Sequence, residues 1–254
     1  MPTETISFVG GAGARLEGIL HRAEGEPKGA VLLAHCFSCG KDIHTTSRLA
    51  NALAAAGYAA FRFDFTGLGE SDGAFETTSV SSNVSDLTRA AVTLIELGFG
   101  PCALVGHSLG GAAALLAAHR LKTVDAVVTI AAPSTVTHVQ HLFTEHVPTI
   151  RTEGKAEVSL GGAPFCLGEV FLDDLAGHDV LDAASELAVP YLAIVAAADA
   201  VVEPASGHAI AAAAPNGRVV EIEGADHLFS KRVHADQAAI ELISFLDEVK
   251  GFDT

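Results

Sequence analysis

The sequence predicts an α/β protein: a mostly parallel central sheet with helices packed on both faces. Three observations predict it. Short apolar runs alternate with helix-length amphipathic or Ala-rich runs along most of the 254 residues, the rhythm of strand and crossover helix. One of these runs, "GAVLLAHC" (29–36), is apolar almost throughout, as a strand buried on both faces is. The chain is 49% hydrophobic, enough for one large core, so a single domain spanning 1–254 is expected.

Taken in order, "RLEGILHR" (15–22) and "GAVLLAHC" read as strands, and "TTSRLANALAAA" (45–56) as an amphipathic helix stopped by Gly57. "YAAFRFDF" (58–65) is a strand leading into the Gly-rich loop "TGLGESDG", and "SSNVSDLTRAAVTLIEL" opens with cap-type residues and runs as a helix to Leu97. "CALVGHS" is a strand that passes directly into the helix "LGGAAALLAAHR", and "VDAVVTIAAP" is the next strand. Over 134–182 the rhythm breaks. "STVTHVQHLFTEHVPTIRTEG" reads as interrupted helix and "AEVSLGGAPFCLGEVFLDDL" as a hairpin followed by a short helix. A stretch this long exceeds an ordinary connection and is expected to form a lid or cap. The alternation then resumes with "PYLAIVAAAD" (strand), "ASGHAIAAAA" (helix), "GRVVEIEGAD" (strand) and a closing helix from His234 to Lys250.

Composition excludes several classes. A net charge of −16, from 15 basic and 31 acidic residues, repels nucleic-acid phosphates and anionic bilayers, so neither is an expected partner. No apolar run approaches the ~18 residues of a membrane span, and "MPTETISFVG" lacks a signal-peptide core. A cytoplasmic location is therefore expected. Four cysteines (Cys36, Cys39, Cys102, Cys166) are too few for a disulfide-stapled secreted domain and fit a reducing compartment. Cys102, at the start of a buried strand, should behave as a small hydrophobe.

The strongest motif is "VGHSLGG", in which Gly106, Ser108 and Gly110 match G-x-S-x-G between a strand and a helix. A nucleophile on that sharp turn sits in a strained backbone, small neighbours let the turn close, and the following helix aims its N–H groups at the site. A serine needs a base and an orienting acid, which this turn expects later in the chain, each at a strand end. Among His208, His227 and His234, only His227 ("IEGADHLF") directly follows a strand. Asp199, ending "PYLAIVAAAD", is the acid, with Glu203 and the insert's Asp173 or Asp174 as rivals; Asp226 should turn into its own loop.

The stretch "AHCFSCGKD" contains Cys36 and Cys39 in C-x-x-C spacing. A thioredoxin-like pair would open a helix in a smaller βαβ domain. A zinc site from His35, Cys36, Cys39 and His44 would draw every ligand from one short segment. Placement after a central strand favours a loop, with Cys36 a small residue where glycine is usual and Cys39 near solvent. No metal and no cofactor is expected.

In "AHCFSCGKD", "FRFDFTGLGESDG" and "GHSLGGAA", and over the whole stretch from "GAVLLAHC" to "GADHLF", the chain resembles the α/β-hydrolase superfamily. More narrowly it resembles a bacterial serine-esterase branch, related to the hydrolase half of proteins that fuse a hydrolase to an osmotically inducible, peroxide-reducing domain. The resemblance implies a mostly parallel sheet with a lid insert after the sixth strand, and ester cleavage through an acyl-enzyme. It also implies an oxyanion hole made by the backbone N–H groups of Phe37, after the third strand, and Leu109. "DFTGLGES" matches that superfamily's D-x-x-G-x-G-x-S loop and is read as structural. His35, Cys36, His107 and Val202, with His138 and Leu142 of the insert, are expected to contact the substrate, a small-molecule ester with a small acyl or aryl group. Phe165, Phe171 and Leu172 should anchor the hairpin. Ser108 disfavours the dehalogenases and epoxide hydrolases of the fold, which need aspartate there. Thioester, lactone and amide hydrolysis stay open, as do a non-catalytic binding protein, and a monomer or a homodimer.

Overall fold

The computed structural model describes residues 2–250. Its eight-stranded sheet runs β1 (Thr3–Val9), β2 (Arg15–His21), β4 (Ala59–Phe63), β3 (Ala30–Ala34), β5 (Pro101–His107), β6 (Ala126–Ile130), β9 (Tyr191–Ala196) and β10 (Gly217–Ile222) across its width. β1 and β2 are antiparallel to their neighbours, and every pairing from β4 to β10 is parallel. This is the fold class read from the sequence. β1, which the apolar pattern does not announce, is an edge strand whose first three residues are exposed.

Because successive side chains of a strand point to opposite faces, the central strands feed two cores. Leu32, Leu104, Val127 and Ala193 face helices α2 (Val80–Glu96), α3 (Leu109–Ala118) and α7 (Ala205–Ala213). Leu33, Val105, Val128 and Ile194 face α1 (His44–Ala55) and α8 (Arg232–Lys250). Burial on both faces is why these strands read as continuous apolar runs. α2 starts where Ser79 accepts from the Ser82 N–H and the Ser82 side chain answers, a capping box.

Residues 134–182 fold as a 3-10 segment (Val136–His146) whose helical path breaks at Phe143, then α4 (Val147–Glu153), the hairpin β7 (Lys155–Leu160) and β8 (Ala163–Gly168), α5 (Glu169–Leu175) and the start of α6 (Val180–Ser185). α6 is not legible in the sequence. Gly154, Gly161 and Gly162 adopt positive φ, stopping α4 and turning the hairpin. Phe143 and Phe171 pack their rings on Phe37, and Phe165 packs on Phe75; Leu172 is buried. Asp174 accepts from the N–H (2.8 Å) and hydroxyl (2.6 Å) of Ser81, tying α5 to the first turn of α2. Among the described residues no helix is long and apolar enough to cross a membrane.

Candidate active site

The loops after β3, β5, β9 and β10 lie at the same end of the parallel sheet, the end where α/β folds place their sites. Between β5 and α3, Ser108 is held at φ 55° and ψ −127°, a left-handed conformation costing on the order of 1–3 kcal/mol. The flanking glycines are a steric requirement. A Cβ on Gly106 would strike the Gly110 carbonyl, and one on Gly110 would strike the His35 carbonyl. The turn therefore closes only without side chains, and it brings the start of α3 against the end of β3. The Ser108 N–H donates to the Ile130 carbonyl at 2.8 Å, locking the turn to β6.

Ser108 Oγ lies 3.0 Å from His227 Nε2, and His227 Nδ1 lies 2.8 Å from Asp199 Oδ2. A carboxylate accepts, so Nδ1 carries the proton and Nε2 is left to accept from the serine. Asp199 Oδ1 accepts the N–H groups of Val201 (2.8 Å) and Val202 (2.9 Å). Burial works to raise the Asp199 carboxyl. The hydrogen bond from His227 and the amides of Val202 and Val201 outweigh it and hold the group below the usual carboxylate range. The rival acids of the 134–182 segment are engaged elsewhere: Asp173 pairs with Arg151, and Asp174 with Ser81 and His178. Asp226 accepts the Ser230 N–H at 2.8 Å, within its own loop.

Two expected substrate contacts are corrected. His35 and His107 do not line the cavity beside Ser108; both are buried brackets. His35 Nδ1–H donates to the Cys36 carbonyl (2.7 Å) and its Nε2 accepts the Phe65 N–H (3.2 Å), fixing the loop after β3. His107 Nε2–H donates to the carbonyl of His227 (2.7 Å), fixing the backbone that carries that imidazole. Burial, then the neighbouring His227, pushes His107 down to about 4, so it is neutral at ordinary pH. Strand alternation explains the outcome: each precedes a loop residue that faces the site, and so turns the other way.

The reading of Cys36 and Cys39 as separate small residues is also corrected, because they form a disulfide. A turn in which the Cys39 N–H approaches the Cys36 carbonyl (3.4 Å) brings their Cα atoms to 5.4 Å, within disulfide range. The ring so closed contains Phe37. The backbone N–H groups of Phe37 and Leu109 donate to no other described residue. The Cys102 side chain lies outside the described residues.

Past the disulfide the loop is held by buried charge that sequence reasoning missed. The Lys41 side chain is 2% exposed and the Asp64 side chain 1%. Lys41 Nζ donates to Asp64 (2.7 Å) and Glu70 (2.6 Å), while Asp64 also accepts the N–H groups of Lys41 (2.6 Å) and Glu70 (3.0 Å). "DFTGLGES" is thus a clamp on the loop that carries Phe37. The lysine of "AHCFSCGKD" was the available signal, but a lysine is exposed far more often than buried.

Ser108 and His227 open into a cavity of about 300 Å³ lined by Cys36, Phe37, Cys39, Leu109, Pro133, Val139 and Val202. Val139 of that lining comes from the insert, as do His138, His141 and Leu142, and Leu142, Val201 and Leu228 form an apolar rim 37–47% exposed. His138 Nε2–H donates to the Val201 carbonyl at 2.6 Å, linking the insert to the loop of Asp199. Among the described residues no group of three or more His, Cys, Asp or Glu is arranged to hold a metal ion. A serine hydroxyl one hydrogen bond from an oriented imidazole can lose its proton as it attacks a carbonyl.

A parallel sheet with a strained Ser elbow after its fifth strand and a His and an Asp at later strand ends defines an α/β hydrolase. Residues 25–159 match the family described as serine aminopeptidase, S33, and the chain belongs to that family. Among solved structures, it is similar to the esterase domain of a Rhodothermus marinus protein (33% identity, covering 98% of this chain and 99% of that one, TM-score 0.80). It is also similar in fold to Est1E of Butyrivibrio proteoclasticus with ferulic acid bound (18%, 96% and 98%, TM-score 0.79) and to a putative hydrolase of Agrobacterium vitis S4 (19%, 96% and 99%, TM-score 0.79). No curated protein matches the sequence.

Proposed function

We propose that this hydrolase cleaves carboxylic esters of small, uncharged acyl or aryl groups through an acyl-enzyme, with Ser108, His227 and Asp199 as its catalytic residues. The hydrogen-bonded relay from Asp199 through His227 to Ser108, opening into an apolar cavity, carries the reading. His227 takes the proton as Ser108 attacks the carbonyl. The N–H groups of Phe37 and Leu109 hold the oxyanion. The imidazolium, stabilised by Asp199, protonates the departing alcohol, and water repeats the sequence to release the acid.

The family's description names aminopeptidases, yet the cavity argues for an ester over a peptide's amino terminus. An α-ammonium group calls for a carboxylate, and the cavity lining contains neither Asp nor Glu. A cavity of about 300 Å³ sits at the lower end of small-molecule sites, which favours short and medium acyl groups. The Rhodothermus marinus relative's description as an esterase domain supports the same reading. The test is hydrolysis of p-nitrophenyl esters from acetate to palmitate, with Ser108→Ala alongside. A maximum at short or medium chains and a loss on the order of 10⁶-fold in the variant are expected. Equal turnover by the two proteins would sink the proposal.

A further inference from the structure

We propose that Cys36–Cys39 is a thiol–disulfide exchange site for small uncharged thiols, reached through the ester cavity, and that its redox state sets the strength of the oxyanion hole. The inference rests on the oxyanion role given above to the Phe37 amide. Five observations point to it.

Both cysteines line the cavity that contains Ser108. Cys36 is buried, whereas Cys39 and its neighbour Ser38 are half-buried, so an incoming thiol meets Cys39 first. The bond closes a very short loop, with a sequence separation of 3, and cross-link stabilisation is small for short loops. The loop is moreover already tied at one end by His35 and at the other by Lys41 and Asp64. A structural staple is therefore not what the pair adds. What lies inside the ring is Phe37, whose amide is the proposed donor and whose side chain packs on Phe75, Phe143 and Phe171.

The exchange balances as follows. A thiolate attacks Cys39 Sγ, the S–S bond breaks, and its electron pair leaves on Cys36 Sγ, which takes a proton. A second thiolate attacks the ligand's sulfur in the mixed disulfide, releasing a symmetrical small disulfide and the Cys39 thiolate, which is protonated in turn. Two small thiols are oxidised and one cystine is reduced. The freed sulfurs must then part from bonded to van der Waals distance, by about 1.5 Å. That movement falls on a loop whose donor has to sit within a few tenths of an ångström of its mark, and misplacement by about 1 Å can cost 10²-fold. An apolar cavity in a chain of net charge −16 favours an uncharged thiol over an anionic one.

The full chain, purified in air, is treated with 2-mercaptoethanol or with mercaptoethanesulfonate. It is then quenched in acid, alkylated and mapped by mass, with circular dichroism melting to verify that it stays folded. Ser108 reactivity is read in parallel as the rate of phosphonylation by a fluorophosphonate, which does not depend on the choice of ester. Cys36 and Cys39 should resist alkylation until reduced, and the uncharged thiol should reduce them faster. Prior phosphonylation of Ser108 should slow the reduction, and the reduced protein should phosphonylate at least about tenfold more slowly, recovering on reoxidation. Cys39→Ser should show the slow rate and ignore thiols. Equal rates in both redox states, or free Cys36 and Cys39 thiols in the air-purified protein, would overturn the inference. Phosphonylation of Ser108 without turnover of any ester would remove the ester reading and leave this one standing. An unreactive Ser108 in the oxidised protein would remove both.

Discussion

His107 offers a quantitative test of how closed the site's framework is. Burial and the adjacent His227 push its imidazole from 6.5 down to about 4. The unfolded chain takes up a proton near pH 6.5 that the folded protein refuses until about pH 4. The contribution to stability is therefore complete above pH 6.5, is lost as pH falls through this window, and levels off below about 4. At 1.36 kcal/mol for each pH unit the whole window is worth about 3 kcal/mol, of which about 2 kcal/mol is gone by pH 5. The perturbation is His107→Gln, which does not titrate and keeps an N–H for the His227 carbonyl. With no tryptophan in the chain, unfolding in urea is followed by far-ultraviolet circular dichroism at pH 7.5 and pH 5. Wild type should lose about 2 kcal/mol more than the variant between the two. His21 and His35, also pushed down by burial, act alike in both proteins and cancel. Identical pH dependence would mean that His107 is protonated at no cost, and that the bracket behind His227 is open to water.

Two further outcomes follow from the same geometry. Asp199→Asn keeps the shape but removes the charge and the preference for the Nδ1–H tautomer of His227, so kcat should fall about 10⁴-fold with KM little changed; a fall below tenfold would return the role of acid to another residue. Lys41→Met leaves the buried Asp64 carboxylate with only its amide partners; it should cost about 3 kcal/mol and lower Tm by about 6–12 °C, and a cost under about 1 kcal/mol would show that Asp64 is already solvated.

Local physics made much of this legible. A strand buried on both faces is apolar nearly throughout, so "GAVLLAHC" announced β3 and "VDAVVTIAAP" β6. The glycines around Ser108 announced a turn that tolerates no side chain, and chain order pointed to Asp199 and His227, which the fold brings into one hydrogen-bonded relay. Those signals reside in a few consecutive residues, where sterics and periodicity act.

Direction and partnership were decided only in three dimensions. His35 and His107 sit beside site residues in sequence but turn away from the cavity, because neighbouring side chains on an extended backbone point to opposite sides. Lys41 is buried because Asp64 and Glu70, 23 and 29 residues on, close over it. His138 reaches the loop of Asp199 across 63 residues. The cavity's far wall is supplied by His138, Val139, His141 and Leu142, which the fold brings opposite Ser108. Burial, charge pairing and enclosed volume depend on contacts between distant segments, and a linear pattern carries no record of which distant segment arrives.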